Sequence, residues 1–362
     1  MKSYRVAIIG LGRMGSTIDE EFGELEAWRS PTAIAAACAA SDRLEVVAGA
    51  DLLPEKRAAF TGKWGVEAVY EDYLEMIEKE RPDLVAICTV ATTALKPARQ
   101  APSRDFRGDA HADLTVSVSN AGVPMVFCEK AMACSMAKAD AVRDACHKNG
   151  TQYNSGLLRR FNNQNHMIRK LIEDGDIGEV GGAVHLGRSS LMHGHVHSID
   201  TLSYLLGDPK IKAIRGELQP RDLVIEDNML DRDPTASFQI EYESGVQAAA
   251  VPFAGTWEFE VFGSEGSIRS LNDGQEVLLR KVGARGSWWD VAPDPTVTPE
   301  SSVVYLLEDL ARAHESGGTT LGNVDVTHQT TEACLAVAES HMKGGAWVEL
   351  PMANRDLYVF HV

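Results

Sequence analysis

Two short stretches carry side chains that could hold a reacting oxygen and move its proton. In the first, Lys130 follows the apolar run Pro124–Cys128, which we expect to form a strand. The second begins at His193 and ends at Asp200. A partly desolvated lysine can polarise a hydroxyl and stabilise developing negative charge, and a histidine titrates in the range that suits a general base. These groups are therefore predicted to act on an alcohol.

The second stretch allows more than one interpretation. His193, His195 and His197 occupy alternate positions of a segment that we expect to be extended. Three histidines without carboxylates or thiolates do not match a recognised ligand spacing, so a metal is not predicted. A structural or surface cluster remains the alternative to proton transfer. Because His197 precedes Asp200 by three residues at the start of an expected helix, their side chains can share one helix face.

The first fifteen residues contain a glycine pattern that could hold a dinucleotide. Val6–Ile9 is an apolar run typical of a buried strand, and glycines at 10, 12 and 15 follow it with G-x-G-x-x-G spacing. In such a loop the glycines allow a tight turn, admit a pyrophosphate and let the next helix approach the strand. The predicted cofactor contacts here are Gly10, Gly12, Arg13, Met14 and Gly15.

The choice of dinucleotide depends on the second strand, Leu44–Ala50, which is followed by Asp51. A carboxylate there binds the adenosine ribose hydroxyls and would repel a 2′-phosphate, so NAD is predicted. Asp51 lies further from the loop than the usual ~20 residues, which indicates an insertion around Asp19–Pro31. Arg13 could meet a 2′-phosphate, so NADP remains possible, and a solvated turn carboxylate is the alternative for Asp51.

Composition limits the classes of partner and the compartment. The chain has 362 residues, 44% hydrophobic and 24% charged, which is ordinary for a soluble protein long enough for two domains. A net charge of -17 argues against nucleic acid and anionic membrane surfaces. No apolar run could span a bilayer, and no signal peptide is expected. The six cysteines show no C-x-x-C pair, which favours reduced thiols in a cytoplasmic protein.

The pattern of elements predicts two domains. Strands alternate with helices over 1–155, which favours a parallel, Rossmann-like sheet. Residues 156–362 contain successive extended stretches, which favour an α+β domain with a mostly antiparallel sheet. Ala94–Asp109 is predicted to be a long loop, either a lid or a disordered tip. A second loop is expected at Arg285–Thr298, with its two tryptophans in packing or interface roles.

Several motifs resemble the glucose–fructose oxidoreductase / inositol dehydrogenase / MocA family. They are GLGRMG at 10–15, CEKAM at 128–132, GLLRRF at 156–161, DGDIGEV at 174–180 and HSIDTLSYLLGD at 197–208. The resemblance covers nearly the whole chain. It implies a Rossmann domain followed by an α+β domain whose open sheet often builds homodimers or homotetramers. It also implies NAD(P)-linked oxidation or reduction at a carbon of a sugar or polyol substrate.

The resemblance also implies roles for single residues. Lys130 matches the family's catalytic lysine, His197 its helix-start histidine, and Arg159 an arginine that contacts substrate. Surface charge is the alternative for Arg159 and its neighbour Arg160, which we expect on opposite faces of a strand. His111 matches a histidine near the cofactor. Asp200 is predicted to contact substrate or to orient His197. Further cofactor contacts are predicted at Thr89 and Glu129.

The chain departs from the family pattern at three places. Ala131 replaces the proline after the lysine, and His193 replaces an aspartate four residues before the catalytic histidine. We interpret His193 as a subfamily feature that passes on the proton. The segment before His111 is longer than usual and could cover the substrate. Besides a dehydrogenase, the alternatives are an enzyme that cleaves glycosides by transient oxidation and elimination, and a non-catalytic sugar or dinucleotide sensor.

Overall fold

The computed structural model describes residues 3–90, 109–283, 285–291, 293 and 300–361. The chain divides into two compact units, the first formed by Met1–Phe161, Glu300–His328 and Val362 and the second by Asn162–Pro299 and Gln329–His361. Residues 300–328 therefore belong to the first unit, although they follow the predicted boundary at 155. The assignment of cofactor binding to 1–155 and of substrate binding and oligomerisation to 156–362 stays a prediction.

A six-stranded parallel sheet forms the centre of the first unit. Its strands are β1 (Tyr4–Ile9), β2 (Leu44–Ala50), β3 (Val69–Tyr70), β4 (Leu84–Ile87), β5 (Met125–Cys128) and β6 (Gln152–Ser155). They are arranged in the order β3-β2-β1-β4-β5-β6 and all neighbours run parallel. This is the order of a dinucleotide-binding fold, with the strand order reversing between β1 and β4. The predicted Rossmann-like sheet is confirmed.

Helices enclose this sheet, and one of them comes from the far end of the chain. They are α1 (Ile34–Ala39), α2 (Pro54–Trp64), α3 (Tyr73–Glu80), α4 (Ala110–Asn120), α5 (Met136–Asn149) and α8 (Ser302–Ser316). Leu306, Leu307 and Leu310 of α8 are fully buried in the same hydrophobic cluster as Val6 and Ile8 of β1. This burial explains why residues 300–328 join the first unit.

The second unit contains a nine-stranded, mostly antiparallel sheet. Its strands are β7 (Val180–Gly187), β8 (Ile211–Gln219), β10 (Thr235–Tyr242), β11 (Gln247–Val251), β12 (Trp257–Gly263), β13 (Gly266–Leu271), β14 (Glu276–Val282), β15 (Trp288–Val291) and β16 (Val348–Glu349). Their order is β15-β14-β13-β12-β7-β11-β10-β8-β16, and only β7 and β11 pair in parallel among these described strands. The predicted α+β architecture is confirmed.

The remaining elements of the second unit flank this sheet. They are α6 (Asn163–Glu173), α7 (Val196–Leu205), α9 (Val324–Met342), which begins in the first unit, and the paired short strands β9 (Met229–Leu230) and β17 (Tyr358–Val359). No helix in the described part of the chain is long and apolar enough to cross a membrane. All six cysteines are buried thiols.

Two loop predictions have different outcomes. The prediction for Arg285–Thr298 is wrong at 288–291, because these residues pair with β14 as an edge strand, and Arg280 binds Asp290 across the pair at 2.9 Å. Trp288 and Trp289 are about half exposed on that strand. Ala94–Asp109 lies outside the described residues except for Asp109, which caps the start of α4.

Candidate functional site

The ends of three adjacent strands bring the first group of predicted residues to one edge of the sheet. Ile9, Ile87 and Cys128 lie side by side as the last residues of β1, β4 and β5. The glycine loop, Thr89 and Lys130 follow these strands directly. Ligands bind at the carboxyl edge of such sheets, near the point where the strand order reverses. The first unit therefore collects most of the predicted cofactor contacts at the expected edge.

The three glycines of the loop have separable roles. Gly10 has φ of +91°, and a Cβ there would lie 2.8 Å from backbone atoms of Cys88 and Thr89. A Cβ on Gly15 would collide with the carbonyl oxygen of Gly10. Gly12 differs, because a Cβ there would meet no described atom within 4 Å. Gly10 and Gly15 are thus required by the fold, whereas the open space at Gly12 fits a dinucleotide diphosphate.

Asp51 is joined to the glycine loop by its carboxylate. One oxygen accepts the Leu11 N–H at 2.9 Å and the other accepts the Leu53 N–H at 3.0 Å. Arg57 donates to the carbonyl oxygens of Asp51 and Leu52. A partly exposed carboxylate beside the loop is the arrangement that selects ribose hydroxyls over a 2′-phosphate.

Arg13 is engaged with an acidic partner. Its guanidinium makes two hydrogen bonds to Glu21, at 2.6 and 2.7 Å. Arg13 lies in a short π-helical turn, Arg13–Thr17, and Glu21 ends the 3₁₀ turn Ile18–Glu21 that follows it. The neighbouring carboxylate would repel a 2′-phosphate approaching Arg13. This contact favours NAD over the NADP alternative.

Two buried groups at the start of α4 support the segment that carries Lys130. The His111 ring nitrogens lie 2.9 Å from the carbonyl oxygens of Ala131 and Thr89. The Asp109 carboxylate accepts the Cys134 N–H at 2.5 Å. Burial lowers the pKa of His111, so its ring is neutral. A neutral imidazole carries a single N–H, which can donate a hydrogen bond to only one of these two carbonyl oxygens. Lys130 itself is partly exposed.

This geometry changes the expected role of His111. Its side chain is 2% exposed and joins the segment after β4 to the segment after β5. The structure therefore supports a positioning role behind Lys130, while direct contact with the cofactor stays a prediction. Asp109 is not among the residues that the sequence analysis predicts, and its only signal in the sequence is its place before a predicted helix, where a carboxylate caps free N–H groups.

Glu129, which precedes Lys130, is a buried carboxyl. Burial raises the pKa of Glu129 to about 7, and the Lys130 ammonium only partly opposes this effect. A Cβ on Gly156 would lie 2.7 Å from the Glu129 carboxylate, so glycine leaves room for it. The close fit against Gly156 and the burial explain why the neutral form of Glu129 is favoured in the folded protein.

This raised pKa predicts a pH-dependent stability. The folded-state pKa of Glu129 exceeds the unfolded value, so its contribution to stability is present below about pH 4.5 and lost as the pH rises through about 7. In the original protein the free energy of unfolding should fall between pH 5 and pH 8. In Glu129→Gln this fall should be smaller by about 3 kcal/mol, since one pKa unit corresponds to ~1.4 kcal/mol. Urea titrations at the two pH values measure this difference. Glu78→Gln is the control, because Glu78 is an exposed residue of α3, and an unchanged pH dependence in Glu129→Gln would contradict the assignment.

The histidine stretch is helical, so the expectation of an extended segment is wrong. Leu191–His195 forms a π-helical turn that runs directly into α7. The Asp233 carboxylate sets this turn, because its two oxygens accept the N–H groups of Met192 at 2.7 Å and His193 at 2.8 Å. Asp233 lies 40 residues away in sequence, and no local pattern revealed it.

The three histidines of this stretch differ in burial. His195 is fully buried, with Nε2 3.0 Å from the Ala236 carbonyl oxygen and Nδ1 3.1 Å from the Ser198 hydroxyl. Burial lowers the pKa of His195 to about 4, so its ring is neutral and structural. His193 is exposed and His197 partly exposed. Among the described residues no three histidine, cysteine or acidic side chains group as metal ligands.

The other predicted substrate contacts lie in different settings. Asp200 is 1% exposed on α7, three residues after His197. Arg159 and Arg160 lie in the 3₁₀ turn Leu158–Phe161, not on a strand, and Arg160 is fully buried. Surface charge is therefore excluded for Arg160, whereas Arg159 is partly exposed. Lys130 and Arg159 belong to the first unit, and the histidines and Asp200 belong to the second.

Comparison with known proteins shows which family the first part of the chain matches. Residues 4–157 match the GFO_IDH_MocA family, described as "Oxidoreductase family, NAD-binding Rossmann fold". The chain is 24% identical to myo-inositol 2-dehydrogenase of Thermotoga maritima over 78% of this chain and 80% of that protein. It is also 24% identical to scyllo-inositol 2-dehydrogenase (NAD(+)) of Bacillus subtilis over 89% and 90%. Residues 4–157 therefore carry the NAD-binding Rossmann domain of the glucose–fructose oxidoreductase / inositol dehydrogenase / MocA family.

Solved structures share the fold of this chain. Aldose-aldose oxidoreductase from Caulobacter crescentus, complexed with glycerol, is 21% identical and superposes with a TM-score of 0.74 over 96% of this chain and 100% of that chain. An inositol dehydrogenase homolog from Azotobacter vinelandii, complexed with NADH and myo-inositol, is 17% identical with a TM-score of 0.72, covering 96% and 98%. The first domain of the family binds NAD, and the space at Gly12 fits that cofactor.

Proposed function

We propose that this oxidoreductase is an NAD-dependent dehydrogenase that oxidises a secondary hydroxyl of a sugar, polyol or glycoside to a ketone. The observation that carries the proposal is the place of Lys130, two residues after the end of β5 at the edge that also bears the glycine loop. The inositol dehydrogenases among the relatives support a polyol or sugar as substrate.

Each proposed residue has one chemical task. Lys130 would hold the reacting oxygen and stabilise the negative charge that develops on it. His197 would take the hydroxyl proton as general base and pass it on through His193. Arg159 and Asp200 would bind neighbouring hydroxyls of the substrate. The chemistry that NAD supplies when bound is acceptance of a hydride at C4 of its nicotinamide ring.

A substrate panel tests this proposal. The purified protein is mixed with NAD and inositols, aldoses or alkyl glucosides, and absorbance at 340 nm is followed. We expect at least one polyol, sugar or glycoside to give turnover on the order of 1–10³ s⁻¹, the usual range for enzymes. The reverse reaction with the ketone and NADH is measured in parallel. Absence of turnover in both directions across the panel would overturn the proposal.

The same panel separates the two alternatives. Release of the aglycone from a glucoside, without net formation of NADH, would indicate cleavage by transient oxidation and elimination. Binding of a sugar in calorimetry, with neither NADH nor a cleaved product, would indicate a sensor. Each of these outcomes replaces the dehydrogenase proposal.

Compartment and assembly are part of the same proposal. We propose that the protein works in the cytoplasm as a homodimer or homotetramer that associates through the nine-stranded sheet, without nucleic acid or membrane partners. The net charge of -17 supports the absence of nucleic-acid binding. Sedimentation velocity at micromolar concentration measures the assembly, and a monomer under those conditions would contradict the proposed oligomer.

Asp51 predicts the cofactor preference. We expect NAD to bind at least about tenfold tighter than NADP, a difference of ~1.4 kcal/mol, because the Asp51 charge disfavours a 2′-phosphate. Asp51→Asn keeps the shape of the side chain but removes its charge, and should reduce this ratio. Fluorescence titration with both cofactors measures it. Asp72→Asn is the matched control, since Asp72 also accepts a backbone N–H but at the start of α3. Equal affinities in the unmodified protein would contradict the role given to Asp51.

A further inference from the structure

The C-terminal segment is bound to the second unit as a short strand. β17 pairs in parallel with β9, and hydrogen bonds join Tyr358 N–H to Asn228 O at 2.8 Å and Phe360 N–H to Leu230 O at 2.9 Å. Here the backbone pairing fixes the place of the next residue, His361, whose side chain is fully buried.

The buried ring of His361 contacts the ring of His193. Their centroids are 5.6 Å apart and the ring planes are inclined at 64°, an edge-to-face arrangement. The backbone of His193 is fixed independently by Asp233, which accepts its N–H at 2.8 Å. The main chain of His193 is thus held by Asp233, and its ring contacts a residue of the segment that follows β17.

We propose that His361 is a positioning residue that fixes the orientation of the His193 ring. The inference rests on the proposed function, in which His193 passes on the proton taken by His197. The edge-to-face contact with a buried ring restricts the rotamers that the His193 ring can adopt. A proton acceptor works only when its nitrogen is aimed at the donor, and a small displacement in an active site lowers the rate strongly.

Kinetics of three variants test this role. His361→Ala removes the ring and should lower kcat by about tenfold, within the ~100-fold that misplacement can cause, with KM nearly unchanged. His361→Phe keeps a planar ring at the same place and should recover at least about a third of the original kcat. Val359→Ala is the structural control, because Val359 is also fully buried in β17. It should lower the melting temperature without a matching loss of kcat.

A spectroscopic measurement tests the ring contact without relying on turnover. In protein labelled with ¹⁵N-histidine, the His193 ring resonances are assigned with His193→Gln. They should shift in His361→Ala and return toward their original positions in His361→Phe. Unchanged His193 resonances in His361→Ala would overturn the positioning role, whatever the activity.

The outcomes separate this inference from the proposed function. If no panel compound is turned over but the His193 resonances respond as expected, the proposed function fails and the ring contact stands. If the protein is active, His193→Gln lowers kcat and His361→Ala does not, the positioning role fails and the function stands. If His193→Gln leaves kcat unchanged in an active protein, the positioning role for the reaction is also overturned.

Discussion

Replacing Lys130 with methionine is expected to lower kcat by about 10²–10⁴-fold, the range found when a group that assists proton transfer or charge stabilisation is lost. Methionine keeps an unbranched side chain of similar length but has no charge and no hydrogen-bond donor. The reacting oxygen would then develop negative charge without a compensating ammonium group. Steady-state kinetics on a compound found in the substrate panel measure the effect.

Binding of the cofactor distinguishes a lost chemical role from a damaged site. The affinity of Lys130→Met for NAD should stay within about threefold of the original, since the glycine loop and Asp51 are unchanged and small surface changes have small free-energy effects. Lys138→Met is the matched control, because Lys138 is an exposed lysine of α5 that pairs with Asp113. A Lys130→Met protein with nearly full kcat would remove this lysine from the mechanism.

The support of Lys130 illustrates what the sequence could and could not reveal. The strand before it was predictable, because four consecutive apolar residues in β5 are buried on both faces of a parallel sheet. The contacts of His111 with Thr89 and Ala131 join segments about twenty residues apart in the sequence. No sequence motif or periodicity links His111 to either segment. Such contacts depend on which strands become neighbours, and short-range periodicity carries no information about that.

The histidine turn shows the same limit in a sharper form. Alternating histidines indicated an extended chain, since alternation is the pattern of a strand. The structure is helical there because Asp233, from the segment before β10, binds two consecutive N–H groups of the turn. The sequence gives no signal for the contact of His361 for a related reason, since its ring meets His193 only through the pairing of β17 with β9.

The turn at the glycine loop is predictable from the sequence because its residues act locally. The spacing of Gly10, Gly12 and Gly15 reports steric demands within one turn and the strand beside it. What spacing could not show is which glycine serves the fold and which serves the ligand. The atoms that a Cβ added at each glycine would contact show which glycine has which role, and variants can test this assignment.

Gly12→Val is expected to weaken NAD binding by at least about 30-fold, or ~2 kcal/mol, the usual cost of forcing a larger side chain into an occupied space. The folded protein without cofactor should be almost unaffected, because a Cβ at Gly12 meets no described atom within 4 Å and its φ is -86°. The two measurements should therefore give different results. The melting temperature should change little, and the NAD affinity measured by titration should fall greatly.

Two further variants make the contrast quantitative. Gly15→Ala places a Cβ against the Gly10 carbonyl oxygen and should lower the melting temperature by several degrees, since about 1 kcal/mol corresponds to 2–4 °C in a large domain. Gly62→Ala, in α2, also has open space at its Cβ and should leave both stability and NAD affinity near their original values. If Gly12→Val bound NAD as tightly as Gly62→Ala does, the diphosphate could not lie over Gly12. The sheet edge would then bind its cofactor in a way that the spacing of these glycines does not describe.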